Sequence, residues 1–167
     1  MKRIDSEYQL LLHRGESRRG SYRKLIRRLI KTAPPDLLPR FALLHREAFE
    51  EIDCLSCANC CAEVGPRLND TDVNRLARAL SIKPGELKRQ YLKIDEDGDT
   101  VFREHPCPLL MADNRCLVYE SRPKACREYP HTDDPAIRSL LKLTLANSRF
   151  CPAVVLIFEG LCERYGG

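Results

Sequence analysis

The stretch Cys54-Leu55-Ser56-Cys57-Ala58-Asn59-Cys60-Cys61 decides how the rest of this sequence is read. It places four thiols in eight residues, a density that core packing does not ask for, since a buried cysteine behaves there as an ordinary small hydrophobe. Two-residue gaps turn successive sulfurs toward one centre, as in thiolate zinc sites and in the cysteine run of bacterial-type ferredoxins. Ligation needs the thiolate, and binding a cation makes deprotonation favourable at neutral pH. The adjacent pair Cys60 and Cys61 is less simple. Neighbouring side chains diverge, so one of the two faces a second centre or stays a free thiol.

Outward from this run, the second half supplies Cys107, Cys116, Cys126 and Cys151. Their intervals are too wide for one loop and natural for ligands gathered by a fold. Together with Cys54, Cys57, Cys60 and Cys61 they make eight candidate metal ligands. Two four-thiolate sites fit that number, and so does one site drawing on both halves with thiols left over; the spacing leaves the partition open. Cys107 and Cys151 each precede proline, which holds the cysteine extended and favours helix entry beyond it, where a thiolate meets unpaired N–H groups and the positive helix end. Cys126 has Arg122, Lys124 and Arg127 around it, an electrostatic setting that favours a thiolate. Cys162 reads as a core residue. His105 and His131 are alternative ligands for a mixed site, although the cysteines suffice without them.

The remaining pattern is helical. Leu25, Ile26, Leu29 and Ile30 alternate with Arg23, Arg27 and Arg28 over Tyr22 to Thr32, a basic amphipathic helix stopped by Pro34 and Pro35. Asp36 is the expected cap of a helix reaching about Ile52. Asp70-Thr71-Asp72 is the expected capped start of Val73 to Leu80, and a short helix follows from Pro84 to near Leu92. Asp97-Gly98 marks a hairpin within Ile94 to Arg103, and Asp113-Asn114 a second turn. Ser121 is the expected cap of a brief helix ended by Pro130, and Pro135 to Asn147 and Pro152 to about Tyr165 close the chain as helices. The fold class expected is mainly α with irregular loops and one small β-hairpin, a small metal-centred domain. Residues 1–52 form a basic N-terminal helical segment and 53–167 a cysteine-cluster metal-binding domain.

At 167 residues the chain can bury a core without a metal to rescue it. Its 28 basic and 24 acidic side chains are unevenly spread. Met1 to Lys31 holds ten Lys or Arg against three Asp or Glu. Leu10 to Leu12 is too short for a signal peptide core, and Ala153 to Phe158 too short to span a bilayer. The expected compartment is therefore the reducing cytoplasm, where nine cysteines do not persist as structural disulfides.

The ordered set CxxCxxCC at Cys54 to Cys61, Cys107-Pro108-Leu109-Leu110, Cys116-Leu117-Val118-Tyr119-Glu120, Ser121-Arg122-Pro123-Lys124-Ala125-Cys126-Arg127-Glu128-Tyr129-Pro130 and Cys151-Pro152 resembles the YkgJ-type cysteine-cluster family. The resemblance runs from about Asp53 to Pro152. It implies a zinc- or iron-chelating domain and, through similarity to the cysteine-cluster region of flagellin lysine N-methylases, a redox or methyl-transfer setting. The dense first run and the two Cys-Pro pairs favour an iron–sulfur cluster, four-iron four-sulfur in form, over zinc, whose structural sites usually show two separate CxxC knuckles.

The leading functional expectation is a metal-binding protein acting in electron transfer, sensing or assembly, with the basic helix docking a protein partner in preference to nucleic acid. An enzyme is the second reading, a transferase in which Tyr119, Arg122, Arg127 and Tyr129 bind substrate. The same arginines can instead pair with Glu120 or Glu128 or donate to cluster sulfurs. A metal-stabilised interaction module is the third. Dithiol exchange comes last, because no strand-helix-strand setting precedes the motif.

Overall fold

The computed structural model describes residues 6–166. In chain order its elements are α1 (Ser6–Ser17), α2 (Arg19–Thr32), α3 (Leu37–Glu51), α4 (Cys54–Cys57), α5 (Asn59–Glu63), α6 (Asp70–Ala79), α7 (Pro84–Tyr91), β1 (Leu92–Ile94), β2 (Thr100–Phe102), a single 3-10 turn (Tyr119–Ser121), α8 (Lys124–Glu128), α9 (Ile137–Asn147) and α10 (Pro152–Tyr165). The protein is mainly α, with one antiparallel hairpin in the register Leu92 to Phe102 and Ile94 to Thr100. Among the described residues, no single helix is long and apolar enough to cross a membrane.

The chain divides into two compact units, one made of 58–129 and the other drawing on both ends of the described chain, 6–57 and 130–166. The second of these is a helix assembly. In α10, Pro152 opens the helix, where its missing N–H costs no hydrogen bond. Ala153, Val154, Val155, Ile157, Phe158 and Leu161 are all fully buried there, so α10 is apolar around most of its circumference and sits at the centre. It packs against α1 and α3, while α2 packs against α9. The Tyr22 ring of α2 stacks on Phe158, with centroids 4.5 Å apart and planes 14° from parallel. Gly15 permits the approach of α1: a Cβ there would lie 2.6 Å from Cγ2 of Val155, a β-branched side chain with little freedom to yield.

The expected basic helix forms with Tyr22, Leu25, Ile26 and Leu29 buried and Arg23, Lys24, Arg27 and Arg28 exposed. It stops at Ala33, left-handed at φ 42°, whose N–H donates to Leu29 O. One element was not anticipated. Helix α1 buries only Gly15 and leaves Leu10 exposed, so its apolar residues carry little periodic signal. Asp36 does stand at the start of α3, but it does not cap that helix; its carboxylate accepts from Arg164 Nη2 at 3.1 Å and Tyr165 OH at 2.9 Å. The two interactions, Tyr165 first, hold the Asp36 carboxyl below the ordinary range.

In the unit 58–129, the core joins Leu76 of α6, Leu87 of α7, Leu92 and Phe102 of the hairpin, and Leu109 and Val118 from the loops. Helix α6 begins at Asp70, three residues before the expected Val73. Asn69 is its cap, accepting from Asp72 N–H at 2.8 Å while Asp72 accepts from Asn69 N–H at 3.2 Å, the reciprocal capping box. The hairpin turns at Asp95 to Gly98, with Gly98 at φ 83°, a conformation glycine adopts without steric cost. Ser121 is not a cap: it ends the 3-10 turn, and α8 starts after Pro123.

Candidate metal centres

The cysteine run forms two helical turns, so its thiols are set by helix geometry and by the break between the turns. Helix α4 carries Cys54 and Cys57, Ala58 breaks the helix in the left-handed region at φ 48°, and α5 restarts with Cys60 and Cys61. The break coincides with the boundary between the two units.

Within 58–129, four further observations gather thiols. Cys60 forms a side-chain hydrogen bond with Cys61. The Cys107 N–H donates to Cys61 O at 2.9 Å, joining two backbones far apart in sequence. Leu110 then pairs with Cys116, closed through Asn114 at φ 70°, so that Cys107 and Cys116 both pack against the unit's core. Cys126 lies on α8. Cys107 precedes a tight turn and not the helix that Pro108 suggested. The ring of His105 lies over Gly65, where an added Cβ would come within 2.8 Å of Cε1.

The segment leading to Cys126 is clamped by an ion pair between a buried carboxylate and a half-buried guanidinium that sequence reasoning missed. Asp72, 1% exposed, accepts from Arg75 and from Lys124 N–H at 2.9 Å. Arg75 donates through Nη2 to Arg122 O at 2.7 Å and through Nε to Ser121 O at 3.2 Å. The signal available in the sequence was the capping box itself, because Asp72 at the third helical position is held where it also reaches α8. Arg122 donates Nε–H to Tyr119 O at 2.7 Å and lays its guanidinium 3.5 Å from the centre of the Tyr119 ring. Arg127 donates to Arg122 O. The tyrosine and arginines considered as substrate groups thus engage one another beside the thiols.

Electrostatics ties this set together. Burial pushes Cys126 up to about 12, and neighbouring Cys61, Cys107 and Cys116 push in the same direction. Burial raises Cys107 to about 11 against the opposing backbone of Leu109, with Cys61 and Cys116 adding to the rise. Cys116 is also raised, by burial first. Cys61 goes the other way: hydrogen bonding with Cys60, aided by Arg122, lowers it despite burial. Arg122 is the cation that opposes the rise at both Cys116 and Cys126. Contrary to expectation, the cations around Cys126 do not win, because Lys124 turns to Glu128 at 3.7 Å and burial dominates.

The helical unit gathers a second set. Cys54 and Cys57 are three residues apart on the one turn of α4, hence on one side of it. That turn is pinned by Asp53, whose N–H donates to Tyr8 OH at 3.1 Å and whose C=O accepts from Cys57 N–H at 2.9 Å. Cys151, 6% exposed, stands at the start of α10 as Pro152 predicts. Burial pushes it to about 12, opposed by the backbone of Val154 and Ala153, while Cys54 and Cys57 add to the rise. Cys162, half-buried on α10, responds to Arg18 and Glu159 instead and belongs to neither set.

Among the described residues, no three His, Cys, Asp or Glu side chains already stand at distances that hold a metal ion. The donor chemistry nonetheless fits a thiophilic metal. Mutually close, buried thiols that raise one another's pKa cannot ionise together unless a cation joins them. Zinc and iron–sulfur centres both accept such all-sulfur sets.

A family model described as "CxxCxxCC: Putative zinc- or iron-chelating domain" matches residues 53–152. No curated protein and no solved structure matches the chain.

Proposed function

The chain belongs to the CxxCxxCC family of zinc- or iron-chelating domains, and on that premise we propose that its Cys61, Cys107, Cys116 and Cys126 hold an iron–sulfur cluster. The observation that carries this reading is the mutual electrostatic coupling of Cys126 with Cys61, Cys107 and Cys116 inside one unit, beside the Arg122 guanidinium. The four sulfurs come from three backbone segments, Cys107 and Cys116 sharing one loop, and not as two CxxC knuckles, which favours a cluster over structural zinc. Bound there, the cluster supplies one-electron chemistry. The protein's residues do the rest. Asp72 and Arg75 fix the 121–124 segment that positions Cys126. Arg122 offsets the accumulated negative charge, and the buried loops around Leu109 and Val118 limit water at the sulfurs.

The role proposed is electron transfer, sensing or assembly with a protein partner in the cytoplasm. Arg23, Lys24, Arg27, Arg28 and Lys31 make α2 an exposed basic face suited to an acidic protein surface. Replacing Arg23, Arg27 and Arg28 with Gln should abolish a salt-sensitive association; an interaction unchanged by salt and by these changes would remove α2 from the reading.

Anaerobic purification followed by iron, sulfide and zinc analysis tests the centre. A brown protein with iron and acid-labile sulfide is expected. A colourless protein with stoichiometric zinc would replace the cluster by zinc, and a folded protein with neither would end the proposal.

A further inference from the structure

Helices α2 and α9 pack on each other within the unit made of 6–57 and 130–166. The fourteen residues of α2 carry six Lys or Arg and the eleven of α9 carry two, and neither helix holds an Asp or Glu. We propose that the two helices form one preformed docking face, whose partner is a protein surface that sets carboxylates against the cations and an apolar side chain against Ile30. The proposal rests on the docking reading of α2 above, and adds α9, the apolar anchor and the partner's chemistry.

The shape of the face follows from how its helices are joined. Arg19, at the start of α2, donates through Nη1 to Leu145 O at 3.1 Å and to Ser148 Oγ at 3.3 Å. At the other end Arg138, in the first turn of α9, donates to Ala33 O at 3.1 Å and to Pro34 O at 2.8 Å. The helices therefore run antiparallel and are tied at both ends, so a partner meets a surface with little left to order. Lys142 follows Arg138 by four residues and lies on the same side of α9, the side turned to α2. Ile30, seven residues after Arg23 and eleven after Arg19, lies on the side of α2 turned to α9 and is 50% exposed.

The fold leaves these cations unneutralised. Among the described residues, Arg23, Lys24, Arg27, Lys31 and Lys142 are exposed and form no ion pair. Burial and the like charges of Arg149 and Arg23 lower the Arg19 pKa against the opposing effect of Glu16, as an excess of positive charge does. Three kinds of anionic surface could meet such a face. A bilayer rewards exposed apolar area, but Tyr22, Leu25, Ile26 and Leu29 of α2 are buried in the core. Nucleic acid rewards aromatic stacking or a helix free to enter a groove, but Tyr22, the one aromatic residue of the two helices, is buried, and α2 lies along α9. A protein surface uses what the face does offer: arginines that fork onto carboxylates, and an exposed isoleucine beside them.

The test uses the full chain purified without oxygen and, as probe, a fluorescent amphipathic peptide of glutamate and leucine, with its glutamine counterpart as control. Anisotropy is read over a salt series. Wild type should bind the glutamate peptide, more weakly as salt rises, and should not bind the glutamine peptide. Lys142→Glu should weaken binding about tenfold, as Arg27→Glu does, and both should flatten the salt dependence. Ile30→Ser should weaken binding while leaving the salt dependence unchanged. Circular dichroism and thermal melting establish folding; a glutamate variant that unfolds is replaced by Lys142→Gln or Arg27→Gln, with the same direction of effect expected. If Arg27→Glu weakens binding and Lys142→Glu does not, docking is confined to α2 and the two-helix face is overturned while the earlier reading stands. An inert Ile30→Ser overturns the apolar anchor. Tighter binding, at equal salt, of duplex DNA or of phosphatidylcholine vesicles containing phosphatidylserine overturns the protein partner. A wild type that binds none of these probes overturns this inference and docking through α2 together.

Discussion

The unit 58–129 and the unit built from the two chain ends use different physics. In the helical unit, Tyr22, Phe41, Ile137, Ile157 and Phe158 are fully buried, and long helices pack directly on one another. In 58–129 the helices are short, the core is drawn from loops as much as from helices, and an ion pair with a buried carboxylate and half-buried thiols lie beside it. The difference teaches how each unit is held: apolar helix packing carries the one, whereas in 58–129 the core is sparse and its grouped thiols, which raise one another's pKa, ionise together only around a cation.

The largest expected effect tests the scaffold. Phe158→Ala removes a fully buried ring stacked on Tyr22 and should cost about 4 kcal/mol in urea denaturation. Metal content of the Cys61, Cys107, Cys116 and Cys126 set should persist under native conditions; its loss would break the contrast between the units. Next comes Asp72→Asn, which leaves Arg75 without its carboxylate and should cost about 3 kcal/mol, with metal lost from the set containing Cys126. Unchanged metal content would mean that the clamp does not position Cys126.

Arg122→Gln removes the cation beside the thiols while leaving the fold intact, and competition titration should find metal binding weakened by about tenfold. An unchanged affinity would return Arg122 to other duties. The smallest effect belongs to the helical unit. The Tyr22 hydroxyl is buried without a hydrogen-bond partner, so Tyr22→Phe should stabilise the protein by about 1 kcal/mol at neutral pH. Burial, with a contribution from Glu159, pushes the native Tyr22 up to about 12 from its ordinary 10.0. The unfolded chain therefore ionises first, and wild-type stability from this group is present below pH 10 and falls as pH rises toward 12. The phenylalanine variant lacks that loss, so the stability difference should widen across this window; a constant difference would place the hydroxyl in contact with solvent.

Much of this was legible in the residues because it is local. The apolar spacing of Tyr22, Leu25, Ile26 and Leu29 located α2, Pro152 located the start of α10, and Asp97-Gly98 located the hairpin turn. Helix α1 escaped because its contacts depend on Gly15, a residue with no side chain to form a pattern. Asp36 and Ser121 resembled caps but were used elsewhere, by Arg164 and Tyr165 in one case and by the 3-10 turn in the other. The paired roles of Asp72 and Arg75 depend on residues some fifty positions away, which no local window contains.

By itself the sequence determined a mainly helical chain with an excess of closely spaced thiols, and hence a metal-chelating family, because helix periodicity and cysteine spacing are properties of neighbouring residues. Only the tertiary structure decided which sulfurs keep company. A break of one left-handed residue at Ala58 sends Cys57 and Cys60 into different compact units, and long-range packing then brings Cys151 to the one and Cys107, Cys116 and Cys126 to the other.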